Sequence, residues 1–382
     1  SAASDVYKRQ VLEGAGSPVE ININKLDISN MEMARIADSP VVLVADIDRG
    51  GVFASIVGTL SLMSDEERSR VKGVIINKFR GRKDYFSEGV RLLEDIIKIP
   101  VLGVVPYQKL GIDEEDGVSE KTYKEAKQVY RKDKLNVVVL KLDHMSNYTD
   151  FNVFEHIEGL ELSYISPDQD LEAFDGQNGK VGPDLLIIPG SKNTLGDMER
   201  LNKSPMRDQI LAYSKRGGLI VGLCGGYQML GQTIRDDRGL DGSRGKVDGL
   251  GLLEVDTVFG SDKITGQVRW NFGHEEGYFF GLENSQIEGY ETHLGRTYPG
   301  PDDNYKIKNG HIMGTYCHGI FDSAGFLSGL LNNIAKARGL ARAFEVKDYR
   351  AIKNEEYNKL ADLIRENVDM EKVYNIIFSR DI

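Results

Sequence analysis

The sequence predicts an α/β protein of two domains: a parallel-sheet domain, then a second α/β domain with a more mixed sheet, extended by a helical C-terminal tail. Three observations carry this. At 382 residues the chain exceeds what one hydrophobic core usually supports. Short apolar runs alternate with helix-length amphipathic stretches, the pattern of strands joined by helical crossovers. From Gly111 to Lys134 the chain turns acidic and charged, and large apolar residues nearly vanish from its first part, as at a domain boundary.

Taken in order, residues 1–10 (Ser1 to Gln10) show no apolar period and no secretory core, and read as foreign sequence. Val11 to Pro18 resembles a strand end and a Gly-rich turn with no opening strand before it, so a native N-terminal portion is expected to be missing. The first domain, 11–110, places strands at 41–47, 71–76 and 101–105, each bounded by Asp, Gly, Pro or Asn. A partly helical linker occupies 111–134. The second domain, 135–330, has strands at 135–142, 184–188, 218–223 and 251–258, with short antiparallel additions near 277–281 and 287–291. The extension 331–382 is helical, with Leu360, Leu363 and Ile364 at helical spacing, and is expected to pack on the second domain.

Composition excludes several classes of function. There are 48 basic and 59 acidic side chains, a formal net charge of −11, and no basic block forms a stripe for nucleic acid. No apolar run reaches the roughly 18 residues that a bilayer span requires, so no membrane partner is expected. Only two cysteines occur, too few for a disulfide framework or a four-cysteine zinc site. A soluble protein of the reducing cytoplasm is the expectation.

The most informative stretch is Gly217-Gly-Leu-Ile-Val-Gly-Leu-Cys224-Gly-Gly-Tyr-Gln-Met-Leu-Gly231. An apolar strand stops at Cys224, two glycines follow, and a helical pattern begins. Small flanking residues let the backbone turn sharply, so that the side chain projects alone above the sheet edge. A helix N-terminus also favours a thiolate. A cysteine ending a buried strand is commonly a small core residue; the Gly–Gly pair behind the strand points instead to a nucleophile. Its base is sought in Gly314-Thr-Tyr-Cys-His318-Gly-Ile-Phe-Asp322, where His318 ends a strand-like run and Cys317 reads as structural. Gly225, and Gly190 and Ser191 of the loop Pro189-Gly-Ser-Lys-Asn-Thr194, are the candidate oxyanion donors through their backbone N–H groups. Such a pair attacks a carboxamide.

The elbow, the Pro-Gly-Ser-Lys-Asn-Thr loop and the Tyr-x-His-Gly-Ile-Phe-Asp run together resemble class I, triad-type glutamine amidotransferases, which hydrolyse glutamine to glutamate and ammonia. Most members carry glutamate two residues after the histidine. Here that position is Ile320, as in the cobyric and cobyrinic acid amidases, and the orienting partner of His318 is not identifiable. Six further runs resemble the cobyric acid synthase family: Glu13 to Pro18, Asp46 to Ala54, Ile76 to Gly81, Ser146 to Phe151, Gly289 to Thr297, and the tail around Tyr349 to Tyr374. The resemblance implies an incomplete P-loop-type synthetase domain followed by a class I glutamine amidotransferase-like domain. It also implies ATP- and glutamine-dependent amidation of peripheral carboxylates of adenosylcobyrinic acid a,c-diamide to adenosylcobyric acid, with Mg2+ as cofactor. A related enzyme acting on cobyrinic acid or a cell-wall lipid precursor is the competing reading, and the runs beginning at Asp46 and Tyr290 argue against it. A non-catalytic binding protein on the same scaffold is opposed by the intact Cys224 and His318.

Amidation requires the carboxylate to be activated by phosphorylation, so metal and fixed positive charge must meet the phosphates. Glu13 resembles the family's carboxylate near Mg2+. Asp46 and Asp48 end a buried strand, where they face metal or substrate, or else cap the next helix. Arg49 suits a substrate carboxylate or the transferred phosphate. Asn77 and Lys78 resemble a nucleotide-base-recognition loop. Tyr290, Glu291, His293 and Arg296, set among glycines, read as a loop touching a carboxylate-rich substrate; His293 and His274-Glu275 lack the spacing of a metal site. No G-x-x-x-x-G-K-[ST] loop occurs, although the family carries a phosphate-cradling loop near its N-terminus, so the chain is expected to be a fragment unable to amidate alone.

Overall fold

A computed structural model describes residues 10–22, 28–48, 50–112, 130–174, 180–300 and 304–378. The chain divides into two compact units, residues 1–111 with 354–382, and residues 112–353.

In the first unit, strands β1 (Val41–Asp46), β2 (Val71–Phe79) and β3 (Val101–Pro106) form a parallel sheet in the order β1-β2-β3. Parallel neighbours need long crossovers, and these are helical: α1 (Met31–Ile36) precedes β1, α2 (Val52–Leu62) and α3 (Asp65–Arg70) lead to β2, and α4 (Lys83–Ile97) leads to β3. A Ser64/Glu67 capping box starts α3. Leu93 and Ile97, one helical turn apart, join Ile56, Leu60, Val74 and Ile76 in the core.

In the second unit, a six-stranded sheet runs in the order β14-β15-β9-β8-β4-β5. Its strands are β4 (Leu135–Leu140), β5 (Leu160–Ile165), β8 (Leu185–Ile188), β9 (Leu219–Leu223), β14 (Tyr305–Lys308) and β15 (Ile312–Thr315). Every residue of β4, β8 and β9 is buried, as befits strands covered on both faces. Helices α5 (Thr194–Lys203), α6 (Met206–Lys215), α7 (Gly225–Leu230) and α8 (Ala324–Arg338) accompany this sheet. Two-residue strands β6 (Ala173–Phe174) and β7 (Lys180–Val181) pair with each other. A second sheet, β11-β10-β12-β13, consists of β10 (Thr233–Asp236), β11 (Gly245–Asp248), β12 (Asp256–Asn271) and β13 (Gln286–Tyr298). Because β4, β8, β9 and β15 are mutually parallel, their carboxyl ends share one edge. That edge is where open α/β sheets bind ligands.

The α/β class, the parallel strands and the helical tail are as predicted, and several elements differ. The strand expected at 251–258 begins only at Asp256 and continues to Asn271. The strand expected at 277–281 is a 3-10 turn, Gly277–Phe279, entered through a left-handed Gly277. The tail helices α9 (Tyr349–Asn367) and α10 (Met370–Phe378) were expected against the second domain. The part of the extension up to Tyr349 does so, with Leu331, Ile334, Phe344, Val346 and Tyr349 in the second unit's core, but Leu363, Ile364, Met370, Val373 and Ile376 pack with Val368 on Leu102 and Val105 of the first unit, and Val368 bridges Gly103. Periodicity defines an apolar stripe but not the sheet that covers it. The segment expected to be foreign, 1–10, lies outside the described residues except for Gln10, as does most of the linker, at 113–129. Among the described residues no helix is long and apolar enough to cross a membrane.

Candidate active site

Cys224 stands between β9 and α7 with φ 50° and ψ −105°, a left-handed conformation unfavourable for any residue but glycine. Such strain costs about 1–3 kcal/mol and persists only where the surroundings impose it. Here the Cys224 N–H donates to the Thr315 carbonyl at 2.8 Å, and its carbonyl accepts from Gln228 N–H at 3.1 Å. The neighbouring glycines are steric necessities. A Cβ on Gly226 would stand 1.9 Å from the Ile188 carbonyl oxygen, and one on Gly222 about 2.7 Å from the Gly226 backbone. Gly226→Ala is therefore expected to destabilise the second unit by about 3 kcal/mol through overpacking against β8, readable as a lowered denaturant midpoint, and to abolish activity at Cys224.

His318 and Asp150 are both buried, with His318 Nδ1 2.7 Å from Asp150 Oδ2. The other carboxylate oxygen accepts the Gly319 N–H at 2.9 Å. Nδ1 is committed to the carboxylate, and the Cys224 thiol, which donates to the Thr292 carbonyl at 3.8 Å, interacts electrostatically with the ring. Burial by itself pulls the imidazolium down. The hydrogen bond to Asp150 and then the interaction with Cys224 outweigh it and hold His318 up at about 10. The ring stays charged at neutral pH, the partner a sulfur nucleophile needs.

The orienting group, absent at Ile320, thus comes from the 3-10 helix Tyr148–His156 after β4. Asp150 lies in the run Ser146 to Phe151 that carried the resemblance, but nothing local ties it to a histidine 168 positions away. Tyr290 completes the enclosure: its ring stacks on His318 with centroids 5.2 Å apart, its backbone exchanges two hydrogen bonds with His318, and its hydroxyl accepts from Asn147 Nδ2 at 2.7 Å.

The three oxyanion candidates gather around Cys224. A Cβ on Gly190 would lie 3.8 Å from Cys224 Cβ and 3.5 Å from His318 Cε1, and one on Gly225 would lie 2.8 Å from Ser191 N. Cys317 is fully buried; burial pushes its thiol up to about 12, so it remains protonated. The expected substrate loop is corrected. Tyr290, Glu291, His293 and Arg296 lie on β13, paired along its length with β12. His293 is buried, bonds the Gly295 carbonyl at 2.7 Å and stacks on Tyr316, whereas Arg296 is exposed. Strand alternation sends these side chains to different faces. Among the described residues no three His, Cys, Asp or Glu side chains gather to hold a metal.

In the first unit, a polar cluster sits at the carboxyl ends of β1 and β2. Lys78 Nζ pairs with Asp46 Oδ2 at 2.7 Å and Arg80 Nε with Asp48 Oδ1 at 2.6 Å, while the Asp46 Oδ1 accepts the Asp48 N–H. Neither aspartate caps α2, whose N-cap is the left-handed Gly51. Lys78 itself has φ 59°, its N–H turned onto the Asn77 side chain. Arg80, stacked 3.4 Å over the exposed Tyr107 ring, was not singled out by the sequence, nor was Tyr107. Glu13 is exposed on a segment held by the bond from Asn30 to the Ala15 carbonyl. Arg49 lies outside the described residues. Asp46 and Asp48 fit the oxygen donors that Mg2+ takes alongside phosphates and water.

Residues 136–326 match a CobB/CobQ-like glutamine amidotransferase domain, and residues 2–114 match an AAA domain. The chain is 44% identical over 389 residues to a cobyric acid synthase from Clostridium botulinum, covering 98% of this chain and 75% of that protein. A cobyric acid synthase from Alkaliphilus metalliredigens is 41% identical over 391 residues, covering 96% and 75% respectively. Among solved structures, PurLQS from Thermotoga maritima aligns with 52% of this chain and 98% of its own, at 19% identity and a TM-score of 0.37. The chain belongs to the cobyric acid synthase family.

Proposed function

We propose that Cys224, His318 and Asp150 hydrolyse glutamine, and that the ammonia amidates peripheral carboxylates of adenosylcobyrinic acid a,c-diamide, each activated by ATP, to give adenosylcobyric acid. The observation that carries this reading is the strained elbow that sets Cys224 beside Gly190 and a buried histidine, itself fixed by a buried carboxylate. Sulfur attacks the carboxamide carbon, and the oxyanion is met by the N–H groups of Gly225 and of the Gly190–Ser191 loop. His318 protonates the leaving ammonia, leaving a γ-glutamyl thioester. It then takes a proton from water, whose oxygen displaces the sulfur to release glutamate.

In the first unit, Asp46 and Asp48 are the residues that would hold Mg2+, which when bound neutralises phosphate charge. Lys78 and Arg80 add fixed positive charge for phosphate or carboxylate oxygens. In a version of the chain that carries the family's phosphate-cradling loop, Asp46→Asn is expected to lower ammonia-supported amidation about tenfold or more while leaving basal glutamine hydrolysis unchanged, as separate assays of phosphate and glutamate release would read. Both thiols are free and buried, in keeping with work in a reducing cytoplasm. Glutamate release with and without the corrinoid and MgATP tests the whole reading. Stimulation by the a,c-diamide supports it, and amidation of another carboxylate in its place would overturn the acceptor.

A further inference from the structure

We propose that Asp197 is the positioning residue that aims the oxyanion-binding N–H of Ser191. The inference rests on the reading that Cys224 hydrolyses glutamine. Asp197 is 2% exposed, in the first turn of α5. A buried carboxylate is costly unless its oxygens are met by donors, and here the donors come from two loops at the active edge. Ser191 Oγ donates to Asp197 Oδ2 at 2.6 Å; His144 Nδ1 lies 2.9 Å from Oδ1, and the His144 N–H is 3.3 Å from both oxygens. Helix capping does not account for the carboxylate, because Asn193 caps α5 through the Gly196 N–H at 3.1 Å.

The same two loops are stitched by backbone. Ser146 N–H donates to the Gly190 carbonyl and Lys192 N–H to the His144 carbonyl, both at 2.9 Å, with Met145 opposite Ser191. In that pairing the N–H of Ser191 takes no part in the ladder, and its nitrogen lies at the elbow, where a Gly225 Cβ would meet it at 2.8 Å. The Ser191 hydroxyl, which also accepts the Asn193 N–H at 2.9 Å, is the remaining freedom of the loop, and Asp197 holds it. An oxyanion donor acts only when aimed before the charge develops. Asp197 therefore serves the tetrahedral step without touching substrate.

The test compares two reactions of the same sulfur in the full chain carrying Asp197→Asn or Ser191→Ala. Glutamine hydrolysis passes through an oxyanion. Alkylation by iodoacetamide does not: a C–S bond forms, the C–I bond breaks, iodide leaves, and the sulfur's proton is released to water. Each variant is expected to lose about tenfold to a hundredfold in kcat for glutamine, with KM little changed and the alkylation rate retained. The double variant should lose no more than the worse single one, because both cut one link. Wild-type kcat in Asp197→Asn, or alkylation falling in step with hydrolysis, overturns the proposal, the latter making Asp197 a fold residue only. Cys224→Ala separates the two readings: hydrolysis persisting there defeats the glutaminase assignment itself, whatever Asp197 does.

Discussion

Replacing Cys224 with alanine is expected to reduce glutamine hydrolysis by about 10⁴-fold or more, because removal of a covalent nucleophile leaves only binding and oxyanion stabilisation. In a version of the chain that carries the family's phosphate-cradling loop, ammonia-supported amidation is expected to survive, since the synthetase chemistry needs ammonia and not its source. The variant should fold: the lost sulfur is small, and the elbow geometry depends on Gly222, Gly226 and the hydrogen bond to Thr315 rather than on the thiol. Cys224→Ser should be nearly as inactive, since the hydroxyl is a far weaker nucleophile beside the same imidazole. Glutamate release, followed with glutamine and with free ammonia as alternative donors, checks both halves. Hydrolysis near the wild-type rate in Cys224→Ala would remove the elbow from the mechanism.

Asp150→Asn should lower kcat by roughly 10²–10⁴-fold, the range seen when the group orienting a catalytic histidine is neutralised. It should also move the basic limb of the rate profile to lower pH. In the native chain His318 is held at about 10 against the downward pull of burial, chiefly by its hydrogen bond to Asp150. Without that carboxylate burial prevails, and the imidazolium is lost at lower pH. The same shift sets a stability dependence. His318 is raised above its unfolded value of about 6.5, so its contribution to stability is fully present below that pH. It is lost as pH rises through about 10. The difference in melting temperature between the native chain and Asp150→Asn should therefore be largest at or below about pH 6.5 and shrink toward pH 10. An unmoved basic limb would show that Asp150 does not govern His318.

Local chemistry is legible because its parts are contiguous. A strand, a cysteine and two glycines in succession can turn only one way, so Cys224 and its elbow were readable from residues 217–231, as were the parallel strands β1 to β3 from their apolar runs between helical crossovers. His318 was readable as the candidate base because it closes a strand-like run beside a glycine. The partner that makes it work was not, because Asp150 reaches it across 168 positions through the parallel order of β4, β8, β9 and β15. Nor was the role of β13, whose glycines suggested a loop until pairing with β12 gave its backbone a ladder and its side chains alternate faces. The tail shows the same limit, its apolar stripe plain in the sequence and its destination, Leu102 and Val105, settled only by which surface was left to cover. Sequence by itself determined the α/β class and the family, and marked Cys224 and His318 as the candidate nucleophile and base, because each rests on neighbours along the chain. Tertiary structure alone decided which carboxylate charges the histidine, which carboxylate holds Ser191 and which sheet receives the tail, because hydrogen bonds and burial depend on distance in space.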